Sequence, residues 1–513
     1  MDRRAFLKTA AGMGLASNAW PGLGPLGHED AAPAYFGLHP FIEAHPEAVF
    51  IRQTHVSARN DSEGKRREAF ELARRIFTRR DSPGQSPSDK FAIKPNITAT
   101  LGKGLHFAII TDAYVVEGLI DGLRQSGVRA GNIYARDALN VDQPGTGYQE
   151  MSQRSGVHYS DNDGRSPMPK ECPGGVVFRR TKYLGPFNYP DSHLINVAKL
   201  KSHSMGLTLC VKNLQGTNIH PYIEFCAGLQ KAIAQDFQPD AQSHVDDLQD
   251  KHQQAGIPRW DTAKAGWMEM WIQRTIDSYS LLRPSILLNV IEGICAQNGD
   301  GFTTGPGQGG VPEIFLTNVL IFGRDAFRVD IIGHWLGGHE PGNFGLFHIG
   351  KERGVSTALN PRNIPLYRWE DAGPKLIPLD KLARTPLAAP YLGREGEPRF
   401  HLCNESYAYP TEPQAACLRG GESPGLRVLG QTQPGNRAAS LTLEFNLPRD
   451  THAQLEMYNA FGERVGVLAE GMIRRGVHAV DWITQQRPSG LYTCRLWAEG
   501  VSNTTPIFLP NRG

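Results

Sequence analysis

The 513-residue sequence has no C-x-x-C pair and, outside its N-terminal leader, no apolar run near the roughly 20 residues that cross a bilayer. No transmembrane span is therefore expected in the mature chain. Its 7 cysteines, Cys172, Cys210, Cys226, Cys295, Cys403, Cys417 and Cys494, lack zinc-ribbon or ferredoxin spacing, so no iron–sulfur cluster is expected. The odd count leaves at least one thiol unpaired, with Cys403 and Cys417 as a pair open to bridging in an oxidising compartment. Charge of one sign is missing too. Lys+Arg 54 against Asp+Glu 52 gives a formal charge of +2, which excludes a nucleic-acid partner or a polybasic membrane surface for the chain as a whole. Any anion site must be local. The length exceeds one ordinary domain and implies two domains behind a leader.

What is present begins at the N-terminus. Arg3 and Arg4, followed by Phe6, Leu7 and Lys8 and a Gly-broken Ala-rich stretch, resemble the twin-arginine export signal. The resemblance assigns residues 1–34 to a signal and implies passage through the twin-arginine machinery, in the folded state, to the periplasm or cell envelope.

From Ala48 the chain alternates between strand and helix patterns. AVFIRQ and FAIKP read as strands, and Pro95 ends the second because it lacks the donor a central strand needs. Thr111 and Asp112 start a helix whose Val115, Val116, Leu119, Ile120 and Leu123 fall at helical spacing, with Gly127 as its stop. A strand at 132–135 is closed by Asp137, and further strands are expected near Val176, Leu194, Ile286 and Val319, the last leading into a helix at 327–336. This is an α/β domain over 35–385 with a largely parallel sheet. A helical insertion is expected at 221–283, where Trp260, Trp267 and Trp271 accompany helical periodicity.

The segment LINVAKLKSHSMGLTLCVKNLQG, residues 194–216, organises the rest. A short buried strand turns abruptly cationic at Lys199, Lys201 and His203, and after Gly206 a short helix is expected around Lys212 and Asn213. Lysines beside buried backbone are repelled unless an anion or carboxylate answers them; the alternative is a solvated turn. Further on, the glycine-rich NGDGFTTGPGQGG has neither the P-loop Lys-Ser/Thr nor the dinucleotide spacing. In residues 333–354, His334, His339, Glu340 and His348 are metal-ligand types without H-E-x-x-H spacing. Hydrogen-bonded histidines in a tightly turned loop are the alternative there.

Residues 386–435 are rich in Pro, Gly, Glu and Arg and read as a linker. Beyond them SLTLEFNL, QLEMYNA, VHAVDW and GLYTCRLWA alternate with period two, which predicts an all-β sandwich over 436–513. YNAFGERVGVLAEG, GVHAVDW and SGLYTCRL resemble the immunoglobulin-like domain of flagellar hook-capping proteins, which implies an adaptor or envelope-association module.

In open parallel sheets ligands bind outside the carboxyl ends of the strands. Lys94 and Asn96, Asp137, the Lys199–His203 group, Glu292 and Asp325 each follow or sit in a different predicted strand, so one cleft should gather them. Lysines mixed with carboxylates hold an anion, shift one lysine toward its neutral form, or merely satisfy each other as an ion-pair network. KPNIT, the Thr111–Asp112 helix start, the 194–216 segment, GDGFTTGPGQGG and GRDAFRVD resemble the family catalogued as domain of unknown function 362, whose biochemistry is largely unassigned. Its cluster-bearing members carry ferredoxin-type cysteines that this chain lacks. The expected function is an exported enzyme acting on a small anionic molecule. Lys94, Asn96, Lys199, Lys212 and Asn213 would bind the ligand, and His203, Lys201 and Asp137 would carry catalysis. Glu292, His339, Glu340 and His348 are the candidate ligands for a divalent metal, and a redox cofactor also stays open. The alternative is a non-catalytic binding or surface-attached protein.

Overall fold

The computed structural model describes residues 35–80, 84–98, 106–138, 145–159, 168–203, 206–220, 222, 231–258, 265–300, 304–390, 399–400, 406–409, 425–431, 440–459, 463–484, 487–488, 490–498 and 501–509. The twin-arginine segment and the Cys403–Cys417 pair lie outside the described residues. The strands are β1 (Tyr35–Leu38), β2 (Val49–Gln53), β3 (Phe77–Arg80), β4 (Lys90–Pro95), β5 (Ile133–Ala135), β6 (Met168–Glu171), β7 (Arg180–Tyr183), β8 (Ser192–His203), β9 (Gly206–Thr208), β10 (Ile286–Gln297), β11 (Ile314–Gly323), β12 (Leu366–Glu370) and β13 (Gly373–Leu376). The C-terminal region adds β14 (Gly425–Gln431), β15 (Ser440–Leu447), β16 (Thr451–Asn459), β17 (Arg464–Ile473), β18 (Gly476–Ile483), β19 (Gly490–Ala498) and β20 (Val501–Leu509).

The main sheet has the order β13-β12-β2-β11-β10-β8-β4-β5, with β9 folded back on β8. Strands β2, β4, β5, β8, β10 and β12 share one direction, while β11 runs against its neighbours β10 and β2. The sheet is therefore mixed and mostly parallel. Residue alternation divides its two faces. Ile93, Ile195, Val197 and Val290 go to one core, under the helices Ser62–Ile76 and Ala113–Gln125. Ala92, Leu194, Ala198, Leu200 and Ile291 go to the other, under Ala265–Leu282 and Ala326–Leu336.

Local chemistry places these helices. Asp61 and Asp112 sit at the two N-caps and accept the backbone N–H groups of Gly64 and Tyr114, each at 2.9 Å. The two helices touch closely, since a Cβ on Gly122 would lie 2.3 Å from the Cβ of Ala73. The predicted strand near Val176 is instead a bend between β6 and β7. Three successive N–H groups, of Val176, Val177 and Phe178, turn onto the buried Asp277 carboxylate at 2.8–3.0 Å and so cannot join a ladder. The expected insertion does contain helices, Ala241–Gln254 and Ala265–Leu282.

The C-terminal region forms two antiparallel sheets, β14-β15-β18 and β17-β16-β19-β20. Leu443, Phe445, Leu455, Met457, Trp482, Cys494 and Leu496 share its core. Its first strand starts at Gly425, inside the stretch read as linker. Another part of that stretch is docked: Leu387 N–H donates to Gly337 C=O at 3.0 Å, and Tyr407 and Tyr409 pack on the α/β core. His45, stacked on Phe41 at 4.0 Å between ring centroids, hydrogen-bonds through Nε2 to Thr493 of β19, both residues being buried.

Candidate functional site

β8 runs unbroken to His203, so Lys199, Lys201 and His203 stand on a strand and not on the turn expected from sequence. At every second residue they share one face and continue the row of Ile195 and Val197. Lys199 is in register with Glu292 of β10, and Nζ donates to Glu292 Oε2, both side chains being out of water. The same carboxylate accepts Asp112 N–H at 3.3 Å and Ile294 N–H at 3.0 Å, and Asp112 takes the Lys65 ammonium at 2.6 Å. A polar network therefore runs from the sheet into the N-terminus of the helix Ala113–Gln125.

Lys201, fully buried, donates to Thr98 Oγ1 at 2.9 Å and to the Ile109 carbonyl at 2.6 Å. Burial, with the charges of Lys212 and Lys199 adding to it, holds its amine well below the ordinary lysine range. His203 is likewise held well below the usual histidine range, by burial and then by Lys212 and Lys201, so its imidazole stays neutral near pH 7.

The opposite face carries a second network. Lys94 Nζ donates to Asp137 Oδ2 at 2.8 Å, to Pro95 C=O at 2.6 Å and to Asn213 Oδ1 at 3.2 Å. Burial pulls the Lys94 pKa down, against the Asp137 charge that raises it. Asn213 also accepts from Asn96 at 3.1 Å and donates to Asn196 at 2.8 Å, which donates to Asn289 at 2.9 Å. Asparagines thus hydrogen-bond across β8 and β10 directly behind the lysines. Gly216 closes this network, because a Cβ there would lie 2.6 Å from Asp137 Oδ1 and 2.7 Å from Lys94 Nζ.

Asn213 and Lys212 ride on one turn of helix, Cys210–Asn213, anchored from below. Asp330 accepts the N–H groups of Cys210 and Val211 at 2.7 and 2.8 Å, and burial pushes its carboxyl up to about 8 against those donors. Lys212 is 8% exposed, yet it makes no hydrogen bond or ion pair among the described residues. Its charge acts on Lys94, Lys201 and His203.

The two networks, on opposite faces, approach each other at the carboxyl edge of the sheet around Lys201 and Lys212. Asp325 does not join them. It follows the reversed strand β11, at the other edge, and caps the helix Ala326–Leu336 by accepting Arg328 N–H at 3.1 Å. The four candidate metal ligands are not gathered either. Glu292 is held by Lys199, His339 Nε2 donates to Leu387 C=O at 2.7 Å, His348 Nε2 donates to Gly342 C=O at 2.7 Å, and Glu340 accepts Tyr409 O–H at 2.9 Å. Among the described residues no group of three His, Cys, Asp or Glu side chains is placed to hold a metal ion. No described helix is long and apolar enough to cross a membrane.

Residues 91–334 match the family described as Domain of unknown function (DUF362). The match runs from β4 into the helix Ala326–Leu336, a little under half of the chain, and includes the residues of both networks except Lys65. No curated protein and no solved structure matches the chain. Sequence reading missed Asn196, Asn289, Asp330 and the role of Lys65. The available signal was a polar residue inside an apolar run, as in LINVA, LLNVI and RVDII.

Proposed function

We propose that the carboxyl edge of the main sheet binds a small anionic molecule and that the protein is an enzyme acting on it. Lys212 carries this reading, as a nearly buried cation with no described partner whose field already reaches two lysines and a histidine. A buried ammonium without an anion is costly, and a ligand carboxylate or phosphate would answer it. Lys94 and Lys199 already face Asp137 and Glu292, so they shape the site and add field while Lys212 makes the direct contact. Lys201 in its neutral form is suited to accept a proton, and His203 stands in the same row as the acid/base partner. Asn96 and Asn213 fix the geometry around Lys94. In this reading the chain is exported by the twin-arginine route, and the C-terminal sheets are an immunoglobulin-like module for envelope association.

A second reading has its own support. The ion pairs Lys94–Asp137 and Lys199–Glu292 are buried, and Lys94, Asp137 and Glu292 carry further hydrogen bonds within the protein, as a structural network would, which suits a non-catalytic binding protein. Mass spectrometry and elemental analysis of whatever copurifies with the folded protein, followed by turnover assays on that compound, separate the two. A copurifying anion that is converted supports the enzyme; one that is bound and never converted supports the binding protein.

A further inference from the structure

The strand pairing sets three side chains in one row across the carboxyl edge. Lys201 of β8 is in register with Gln297 of β10 on one side and with Thr208 of β9 on the other. Paired residues on adjacent strands project to the same face, so an amide, an amine and a hydroxyl stand side by side. All three are fully buried. Both amide atoms of Gln297 and the hydroxyl of Thr208 lack a hydrogen-bond partner among the described residues. At the same edge Asn96 Oδ1 and Ser202 Oγ are also without one.

Buried polar atoms left unbonded each cost about 1–3 kcal/mol, and folded proteins rarely tolerate several together. A valine and a methionine would fill the same space without that cost. The unbonded groups of Gln297 and Thr208 are not scattered, because they flank Lys201 on both sides, within reach of the charge of Lys212. We propose that Gln297 and Thr208 form the uncharged half of the ligand site, reading a hydroxyl or carbonyl oxygen that the ligand carries beside its anionic group. Gln297 offers two N–H donors and one carbonyl acceptor, and Thr208 offers a donor and an acceptor. Together they match a hydroxyl, which both donates and accepts, or a carbonyl flanked by donors. The ligand class is thus a small 2-hydroxy or 2-oxo acid, or the equivalent phosphate ester, and not a plain anion. This rests on the anion-site reading above and narrows it.

The test uses the full chain and calorimetric titration with lactate, pyruvate, propionate and inorganic phosphate, in the wild type, Gln297→Met and Thr208→Val. Lactate or pyruvate should bind about tenfold tighter than propionate in the wild type, the equivalent of roughly one to two hydrogen bonds. The advantage should disappear in both variants while propionate binding stays unchanged. Apo melts provide the second readout. Each variant removes orphaned polar atoms at nearly constant volume, so its midpoint without ligand should not fall. Equal affinity for lactate, pyruvate and propionate overturns this proposal and leaves the anion site standing. Absence of binding by all four probes overturns both. A lower apo midpoint in both variants shows that the two side chains are already bonded in the free protein, and that also overturns the proposal.

Discussion

Lys199 and Glu292 occupy paired positions on adjacent parallel strands and meet as an ion pair with 0% and 1% side-chain exposure. Removing one partner leaves a charge that water cannot reach. Lys199→Met should lower stability by about 3–5 kcal/mol, and Lys199→Met with Glu292→Leu should recover much of that loss. Urea melts of the single and double variants check it. A single-variant loss below about 1 kcal/mol would mean that the pair is hydrated and contributes as surface pairs do.

Gly216 lies against the other buried pair, Lys94 and Asp137. Gly216→Ala places a Cβ within 2.7 Å of both side chains, and neither has room to swing away. We expect a loss of about 1–3 kcal/mol from overpacking. The readout is again the denaturation midpoint, with Gly131→Ala as the control, since a Cβ at Gly131 meets nothing within 4 Å.

The helix Ala241–Gln254 should make stability depend on pH. His252 is buried, with Nδ1 3.1 Å from Glu269 and Nε2 2.7 Å from Glu352. Burial acts to lower its pKa, but the hydrogen bonds and charges of the two carboxylates outweigh it and the value is raised. A folded-state pKa above the unfolded value of about 6.5 means that the stabilisation is complete below about pH 6.5 and is lost as pH rises through the folded value. His252→Gln should therefore be most destabilised relative to wild type near pH 6, with the gap narrowing by about pH 9. A gap that is constant with pH would contradict the paired, charged histidine.

The fold was legible where periodicity was strong. The helix expected from Val115, Val116, Leu119, Ile120 and Leu123 lies at Ala113–Gln125 with Asp112 as its cap and Gly127 in the left-handed region beyond it. The two-residue alternation in SLTLEFNL, QLEMYNA, VHAVDW and GLYTCRLWA marks strands β15, β16, β18 and β19, while β17 and β20 are not read from it. Strand direction was not legible, because nothing local in Ile314–Gly323 distinguishes an antiparallel strand from a parallel one. That is why Asp325 was expected in the cleft and caps a helix at the opposite edge. The cationic stretch read as a turn because charge signals exposure, yet β8 carries its lysines through the core by pairing Lys199 with Glu292 and seating Lys201 on Thr98 and Ile109. Which face each residue joins depends on strand parity. Two sets of residues expected in one cleft therefore form two networks, back to back.

The central claim is that Lys212 waits for an anion, and its replacement tests that most directly. Lys212→Gln keeps length and hydrogen bonding while removing the charge. Calorimetric titration with inorganic phosphate and with the copurifying anion, at low ionic strength, should show binding to the wild type weakened in the variant by about 1.5–3 kcal/mol, the range for hydrogen bonds to charged groups. The apo melting midpoint should hold or rise, because the variant relieves the crowding of Lys212 with Lys94 and Lys201. Unchanged affinity together with a lower apo midpoint would contradict the account and make Lys212 a structural residue.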